Sequence, residues 1–411
     1  MLRLDDTDRE RSTQPFAEAI ERDLSWLGLK WDSFARQSDR LERYSEELDK
    51  LRATGRVYPC FETQAELDLK RKTQLGRGLP PVYDRSSLKL ADADRAKLLS
   101  EGRKPHWRFK LNHTDVKWDD AVQGQKSFPA ASLSDPVLVR EDGVPLYTFC
   151  SVVDDVDFKI THIIRGEDHV TNTAVQMQIW EAVTTLPAPQ FAHFPLLVSA
   201  SGVEMSKRLG TLSIASMRDE MQIEPMAINS LLAKLGTSDP IAPRLSLDEL
   251  VADFDLKKIS RATPKFDMEE LQTLGAKILH ATPYAAIQPK LQKLGLNTIT
   301  VEFWDAVRNN LTKLEDVKLW WQVAQGPITP TISEQEFVSL AASVLPAGSW
   351  DQTTWGQWTE AVKQKTGRKG KELFMPLRLA LTGTDHGPEM KTFLPIIGRE
   401  RVEARLAGKS A

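Results

Sequence analysis

Residues 159–198 read KITHIIRGEDHVTNTAVQMQIWEAVTTLPAPQFAHFPLLV and predict a strand, a helix and a second strand in succession. The β-branched segment KITHIIRG is typical of a buried strand, and a helix is expected to begin near residues 171–173. Val175, Ile179 and Val183 then share one helical face, and FAHFPLLV predicts the second strand. Because a strand, a helix and a strand at this spacing form a parallel unit, the stretch predicts a doubly wound, Rossmann-like α/β sheet.

The residues before this stretch also alternate between predicted strands and helices. The segment LRL (2–4) is expected to end a strand, and two amphipathic helices follow it. Pro15 suits the first turn of the first helix, and Gly55 suits the end of the second. VLVR (137–140) and the start of PLYTFCSVVDD (145–155) continue the alternation as predicted strands, with the PLY piece ending at Tyr147.

Composition along the chain divides it into three predicted domains. Residues 1–212 are predicted as the α/β domain, and about 56–135 form an inserted subdomain because they combine charged helical pieces, a Gly-Pro-rich segment and a strand-like WRFKL. Beyond residue 212 the pattern predicts helices joined by short loops, without further strands. This part is divided into two helical units, 213–300 and 301–411.

Overall composition excludes several classes of protein. Of the 411 residues, 41% are hydrophobic and 27% are charged, with a formal net charge of −3, which excludes a globally basic nucleic-acid coat but allows a local basic face. The two cysteines, Cys60 and Cys150, exclude a disulfide framework, and no paired spacing suggests zinc. No apolar run has membrane-spanning length and no signal peptide is evident, so a reduced, soluble, cytoplasmic protein is expected.

A loop after a predicted strand carries a candidate anion site. The segment VSASGVEMSKRLGTLSI (198–214) places Lys207 on a Gly- and Ser-containing loop. The compact ammonium group of a lysine on such a loop suits a triphosphate, because it can follow charge that develops on a leaving phosphate. Taken by itself, a Ser-Lys-Arg tripeptide is more often a solvated surface turn.

Arg165 ends the predicted strand KITHIIRG and is a candidate carboxylate ligand. Its guanidinium is a permanent, forked cation that matches the geometry of a carboxylate. Tyr147, expected to end the PLY strand, could add a hydroxyl donor to the same site. The alternative for Arg165 is a structural ion pair with Glu167 or Asp168.

Three acidic residues close together form another candidate site. Asp154, Asp155 and Asp157 could bind a metal ion, but three acids in four residues are more often a solvated turn. No Walker A sequence is present anywhere in the chain.

The motifs taken together resemble one family. LRLDDTDRERS, YTFCSVVDD, ITHIIRGEDHVTNT, FAHFPLL and MSKRLG, in this order and at this spacing, resemble the bacterial glutamyl-tRNA synthetases, which are class I aminoacyl-tRNA synthetases. FDLKKISRATPKFD (254–267) is similar to the family's stem-contact segment, and PLRLALTG (376–383) to a late segment of its anticodon-binding domain. The resemblance implies a class I synthetase catalytic domain with an inserted acceptor-binding subdomain, followed by α-helical stem-contact and anticodon-binding domains.

The resemblance implies a two-step reaction and a role for several residues. Glutamate's α-carboxylate attacks the α-phosphate of ATP, and the adenylate then passes glutamate to the 3′ end of tRNA(Glu). Lys207 matches the second Lys of the KMSKS motif, which makes it the catalytic residue of an ATP-binding loop formed by Glu204, Met205, Ser206, Lys207 and Arg208. Arg165 and Tyr147 match residues that hold the side-chain carboxylate of glutamate, and Asp5 lies near the substrate's α-amino group.

The sequence departs from the family pattern at four points. Asp5 is one methylene shorter than the usual Glu, and Glu204 replaces the first Lys of the KMSKS motif. Cys60 stands alone where some relatives hold zinc, so no structural metal is expected. No HIGH-like sequence precedes LRLDDTDRERS, so roughly 30–40 residues, about one βα unit, are expected to be absent and the true start to lie further upstream.

The expected partners follow from the same resemblance. They are glutamate, ATP with its Mg²⁺, and tRNA(Glu), with use of tRNA(Gln) left open, and the protein is expected to be a monomer. Arg308 falls near the position of basic anticodon readers, and the basic run 363–371 either touches phosphates or is a solvated loop. Two alternatives are a non-catalytic tRNA- or partner-binding paralogue and, with a resemblance restricted to the catalytic part, a glutamyl-queuosine tRNA synthetase.

Overall fold

A computed structural model of the protein describes residues 1–8, 10–129, 132–203 and 212–411. The chain forms two compact units. The first unit comprises Met1–Leu209, Lys234–Pro240 and Phe254–Phe266, and the second comprises Gly210–Ala233, Ile241–Asp253 and Asp267–Ala411. The three-domain division at residues 212 and 300 therefore stays a prediction. Within the described ranges, no helix is long and apolar enough to cross a membrane.

The first unit contains the strands. They are β1 (Leu2–Leu4), β2 (Phe34–Arg36), β3 (Val57–Cys60), β4 (His106–Phe109), β5 (Val116–Asp120), β6 (Gly124–Phe128), β7 (Val137–Val139), β8 (His162–Gly166), β9 (Gln190–Phe194), β10 (Val198–Ser199) and β11 (Lys265–Phe266). The main sheet has the order β6-β5-β9-β8, in which β9 pairs in parallel with both β8 and β5. β1 and β2 form a separate parallel pair, and β3, β4 and β7 form an antiparallel sheet.

The first unit also contains six of the helices found in the described ranges: α1 (Gln14–Trp26), α2 (Leu41–Ala53), α3 (Gln64–Gly76), α4 (Asp92–Ser100), α5 (Tyr147–Asp157) and α6 (Val170–Val183). α6 joins β8 to the parallel strand β9, which confirms the strand–helix–strand unit predicted from residues 159–198. Pro15 lies in the first turn of α1, and Gly55 follows α2 with a φ of +70°, a conformation that glycine adopts without a steric penalty.

Two predictions about this unit are wrong. PLYTFCSVVDD is helix α5 from Tyr147 onward, because Phe149, Val152 and Val153 recur at helical spacing and are buried together. The strand in KITHIIRG is not buried, because β8 lies at the edge of the main sheet and Ile164 remains 44% exposed.

The remaining helices belong to the second unit, apart from the last residue of α8. They are α7 (Ile214–Asp219), α8 (Pro225–Lys234), α9 (Leu247–Ala252), α10 (Met268–Ala281), α11 (Tyr284–Lys293), α12 (Val301–Val307), α13 (Val317–Gln325), α14 (Gln335–Ala342), α15 (Thr354–Thr366), α16 (Lys371–Thr382), α17 (Met390–Ile397) and α18 (Arg399–Leu406). The large aromatic side chains of their core include Phe303, Trp304, Trp320, Trp358 and Phe393. The prediction of no strands beyond residue 212 is wrong in one detail, since β11 pairs in parallel with β10.

Candidate active site

Arg165 lies near the carboxyl end of β8, where the parallel register places it beside His193 of β9. Its guanidinium donates three hydrogen bonds, all to neutral groups: from Nη1 to the Tyr147 hydroxyl (3.3 Å), from Nη2 to Thr173 Oγ1 (2.6 Å) and from Nε to His193 Nε2 (3.4 Å). The contacts fix the plane of the guanidinium without neutralising its charge. Sequence reasoning did not identify Thr173 or His193, although aligning the two parallel strands would have pointed to His193.

The alternative of a structural ion pair for Arg165 is wrong. Glu167 accepts a hydrogen bond from Gln123 (3.2 Å), and Asp168 lies 3.7 Å from His169. Among the residues that the structure describes, Arg165 has no carboxylate within ion-pair distance. A positioned cation that lacks a counterion is suited to bind an anionic ligand.

Tyr147 meets Arg165 from the first turn of α5 rather than from the end of a strand. Its hydroxyl accepts the hydrogen bond from Arg165, its ring packs edge-on against His169 with 5.7 Å between ring centroids, and the residue is 37% exposed. The two residues predicted to share a site therefore do lie together. The sequence correctly predicted this pair and mistook the element that carries Tyr147.

Asp5 follows β1, as predicted, and its carboxylate is paired with Arg3 (2.8 Å). Arg3 also contacts Asp155 (2.8 Å), near the end of α5. Burial alone would lower the pKa of Arg3, but hydrogen bonds and charge interactions with Asp5 and Asp155 raise it overall. Tyr147, which contacts Arg165, begins α5, and Asp155, which contacts Arg3, is eight residues further on. The two residues are therefore about 12 Å apart along the helix axis.

An open groove of 480 Å³ borders Asp5. Its lining combines Asp5 and Asp6 with Phe16 and Ile20, which project from α1 and are 62% and 45% exposed. α1 is therefore a helix, as predicted, whose apolar face lines an open surface. The groove is large enough for a small polar ligand, and acidic and apolar side chains face it together.

The three acids at the end of α5 form an ion-pair cluster in which Asp154 and Asp155 are buried and Asp157 is exposed. Asp154 is fully buried and accepts hydrogen bonds from Arg40 (2.8 Å), Tyr44 (2.9 Å) and Gln37 (3.0 Å). Asp157 contacts Arg40 (2.5 Å) as well. The interpretation as a solvated turn is therefore wrong for Asp154 and Asp155, because Arg3 of β1 pairs with Asp155 and Arg40, directly before α2, pairs with Asp154.

The predicted ATP-binding loop, Glu204, Met205, Ser206, Lys207 and Arg208, lies outside the described residues. On one side of it β10 pairs with β11, and on the other side α7 begins after Ser213, whose side chain accepts a hydrogen bond from the backbone of Ser216 (3.0 Å). The loop therefore follows a strand, as predicted, but this strand belongs to a separate two-stranded sheet rather than to the main one.

The predicted anticodon residue Arg308 follows α12 in the second unit. One terminal nitrogen donates to the carbonyl of Thr282 (3.3 Å), and Nε lies 3.4 Å from Asp305. Its guanidinium therefore has intramolecular partners, and its role toward tRNA stays a prediction.

The basic run 363–371 joins the end of α15 to the start of α16. Lys363 pairs with Glu360 (2.9 Å), and Arg368 pairs with Glu334 (2.6 Å) while its guanidinium lies over the Phe337 ring. The run is thus a helix-connecting segment in which some of the cations are already paired, and contact with phosphates stays untested.

Cys60 has a polar neighbourhood that the sequence did not reveal. It is fully buried, its Sγ lies 3.6 Å from the Tyr83 hydroxyl, and burial raises the pKa of its thiol to about 11. Next to it, Glu62 accepts hydrogen bonds from Tyr83 (2.7 Å), Ser86 (2.6 Å) and Ser87 (2.6 Å). In the described part of the chain, no three His, Cys, Asp or Glu side chains are grouped so that they could hold a metal ion.

Comparison with protein families gives two matches. The family described as "tRNA synthetases class I (E and Q), catalytic domain" matches residues 1–273, and the family described as "Anticodon binding domain" matches residues 329–408. The chain belongs to the class I glutamyl- and glutaminyl-tRNA synthetase family. This confirms the resemblance inferred from the motifs and the predicted α/β fold class with a helical C-terminal part.

Individual members of this synthetase family match the chain along nearly its whole length. A glutamate--tRNA ligase from Azospirillum brasilense is 58% identical over all of this chain and 92% of its own length, and glutamate--tRNA ligase 1 from Parvibaculum lavamentivorans is 55% identical over 99% and 91%. The crystal structure of a glutamate tRNA ligase from Elizabethkingia meningosepticum in complex with its amino acid has a TM-score of 0.82 at 25% identity, covering 99% of this chain and 91% of that one. A glutamyl-queuosine synthetase, which resembles only the catalytic part of the family, is not supported.

Proposed function

We propose that this protein is a glutamate--tRNA ligase, an aminoacyl-tRNA ligase that acts in protein biosynthesis. It activates glutamate with ATP to glutamyl-adenylate, releases pyrophosphate and transfers the glutamyl group to the 3′ end of tRNA(Glu). Relatives of this name match at 50–58% identity along the chain. The observation that carries the proposal is the Arg165 guanidinium, which lies beside Tyr147 without a counterion among the described residues.

The hydrogen bonds of Arg165 explain how it would bind the side-chain carboxylate of glutamate. A guanidinium has five N–H donors, of which the described contacts use one on Nε and one on each terminal nitrogen. One N–H therefore remains on each terminal nitrogen, which matches the two oxygens of a carboxylate. Because the Tyr147 hydroxyl accepts from Arg165, its own proton is free to be donated to the same carboxylate.

The other end of the substrate is assigned to Asp5. Its carboxylate would attract the α-ammonium group of glutamate, while Arg3 holds Asp5 in place (2.8 Å). α5 contacts both Arg3 and Arg165, so one helix connects the two proposed recognition groups. Holding both ends of the substrate would orient its α-carboxylate for attack on the α-phosphate of ATP.

The assignment of Lys207 rests on its match to the KMSKS motif. The reaction has no covalent enzyme intermediate, so the protein contributes positioning and charge stabilisation. We assign to Lys207 the stabilisation of the charge that develops on pyrophosphate as it leaves. Mg²⁺ would enter with ATP, bound by its phosphate oxygens.

Further details of the proposal rest on the sequence alone. They are a monomeric state, a cytoplasmic location and an anticodon-reading role for Arg308. Use of tRNA(Gln) in addition to tRNA(Glu) can be decided by charging both tRNAs in parallel.

The proposal can be tested by the choice of amino acid. The purified enzyme should charge tRNA(Glu) with glutamate and reject glutamine, which has the same shape but would leave the Arg165 charge unpaired. Because two charge-assisted hydrogen bonds to Arg165 are at stake, discrimination by about 10² or more in kcat/KM is expected. Charging with glutamine at a comparable kcat/KM, or the absence of any glutamate-dependent charging, would contradict the proposal.

A further inference from the structure

A buried hydrogen-bonded chain lies behind Arg165. His193 on β9 is fully buried, and its Nδ1 lies 2.5 Å from Oδ2 of Asp120, which is 2% exposed at the end of β5. The other oxygen of Asp120 accepts from the backbone amides of Val122 (3.1 Å), Gln123 (3.0 Å) and His193 itself (3.1 Å). Burial would raise the pKa of Asp120, but these hydrogen bonds lower it overall, so Asp120 is an ionised acceptor.

The ionised Asp120 determines where the imidazole of His193 carries its proton. Nδ1 donates to Asp120, so in the neutral ring Nε2 presents a lone pair on the opposite side. Two groups approach that lone pair, the Thr173 hydroxyl (2.8 Å) and the Arg165 Nε (3.4 Å). Thr173 in turn accepts from Arg165 Nη2 (2.6 Å), so Nε2 and Thr173 together hold one edge of the guanidinium.

We propose that neutral His193, oriented by Asp120, is a positioning residue for glutamate recognition, because it fixes the guanidinium of Arg165 through Nε2 and Thr173. This inference rests on the proposed function of Arg165. The opposite edge of the guanidinium then presents its two remaining N–H groups to the substrate carboxylate. A guanidinium of Arg165 in another orientation would keep its charge but could not direct two parallel N–H groups at the two carboxylate oxygens.

Protonation of His193 should disrupt this arrangement. A second N–H would replace the lone pair at Nε2, and the imidazolium would repel Arg165. The charged or titratable groups that face His193 are Asp120 from β5, Arg165 from β8 and His169 from the turn that follows β8. Burial, Arg165 and His169 lower the pKa of His193 and outweigh Asp120, so the neutral form prevails at neutral pH.

Two substitutions of His193 by amide residues distinguish the role of Nε2 from the role of Nδ1. In His193→Gln the side-chain oxygen can reach the position of Nε2 and accept from Arg165 and Thr173, whereas in His193→Asn the amide reaches only the position of Nδ1 and can donate to Asp120. Since one neutral hydrogen bond changes an equilibrium by about tenfold, we expect His193→Asn to raise the glutamate KM by about tenfold and His193→Gln by less than about threefold. The ATP KM should stay unchanged in both variants, which controls for general damage to the fold.

The pH dependence of the wild-type enzyme provides a first test that does not depend on the folding of any variant. In the wild-type enzyme the glutamate KM should rise only at a pH below the ordinary histidine value of about 6.5, because burial lowers the pKa of His193, while the ATP KM stays level. His193→Gln should lack this acid rise. His169→Gln should retain it, which assigns the titration to the buried ring.

Separate results would overturn the positioning role and the proposed function. An acid-independent glutamate KM in the wild type, or equal effects of His193→Asn and His193→Gln on the glutamate and ATP KM values, would refute positioning by His193. If Arg165→Ala raised the glutamate KM while His193→Asn did not, only the positioning role would fail. If Arg165→Ala left the glutamate KM unchanged, the proposed function of Arg165 would fail as well.

Discussion

Replacing Arg165 with alanine should weaken glutamate recognition about a hundredfold. The substitution removes two charge-assisted hydrogen bonds to the substrate, each of which contributes about 1.5–3 kcal/mol. The site is partly open, since Tyr147 is 37% exposed, and water would partly solvate a carboxylate that has lost its partner. The lower end of the sum, about 3 kcal/mol, is therefore the better estimate, and at about 1.4 kcal/mol per tenfold change it corresponds to roughly 10² in the glutamate KM.

Steady-state charging of tRNA(Glu) at varied glutamate and varied ATP measures this effect directly. The glutamate KM should rise in Arg165→Ala, and the ATP KM should stay within about twofold, because the substitution removes a proposed ligand of the glutamate side chain and not of ATP. Arg165→Lys is the matched control: it keeps the charge but loses the fork, so an intermediate rise of about tenfold is expected. An unchanged glutamate KM, or an equal rise in both KM values, would refute the assignment of Arg165 as the carboxylate ligand.

Three further predictions concern other parts of the chain. Lys207→Ala should lower kcat for adenylate formation by about 10²–10³ and leave the transfer of glutamate from preformed adenylate to tRNA unchanged. Single-turnover kinetics measures the two steps separately. Slowed transfer with normal adenylate formation would contradict the role of Lys207 toward pyrophosphate. Glu62 has a pKa held below its ordinary value of 4.5 by hydrogen bonds from Ser86, Ser87 and Tyr83 despite its burial. The ionised Glu62 should therefore stabilise the fold above pH 4.5, and this stabilisation should be lost as the pH falls further below 4.5. Glu62→Gln should accordingly lower the thermal midpoint at pH 7 and lower it less at pH 4. A decrease in the midpoint that is the same at both pH values would contradict this role of Glu62. Arg308→Ala should raise the KM for tRNA(Glu) without changing the glutamate KM, and unchanged tRNA kinetics would remove Arg308 from the anticodon site.

The sequence predicted those parts of the fold in which local periodicity and packing agree. β8, α6 and β9 were predicted correctly, because β-branched strands and a helical apolar face are local signals. α5 was mistaken for a strand because its apolar residues are nearly continuous, and burial of several sides of a helix removes the contrast on which periodicity depends. Local signals were thus sufficient for amphipathic elements and insufficient for a helix that is buried along most of its length.

The candidate site divides in the same way. Arg165 and Tyr147 were predicted as partners from family motifs, and their side chains do meet. The chain formed by Asp120, His193 and Thr173 was missed, because its members come from three elements and become neighbours only when the strand register is known. Long-range pairing of this kind leaves no pattern at a fixed spacing in the sequence.

The arginines of the first unit show how surroundings separate structural cations from a recognition cation. Arg3 and Arg40 each contact at least one aspartate at 2.8 Å or less, so their charges are neutralised within the protein. Arg165 is held at three N–H groups by a hydroxyl, a second hydroxyl and an imidazole, which orient the guanidinium and leave its charge intact. The nearby acid Asp120 is separated from Arg165 by the His193 ring, so it can orient the chain of hydrogen bonds without forming an ion pair with the guanidinium. Because glutamate and glutamine differ at this position only in charge and in hydrogen-bond donors, an oriented cation that is not neutralised is the feature that discriminates between them.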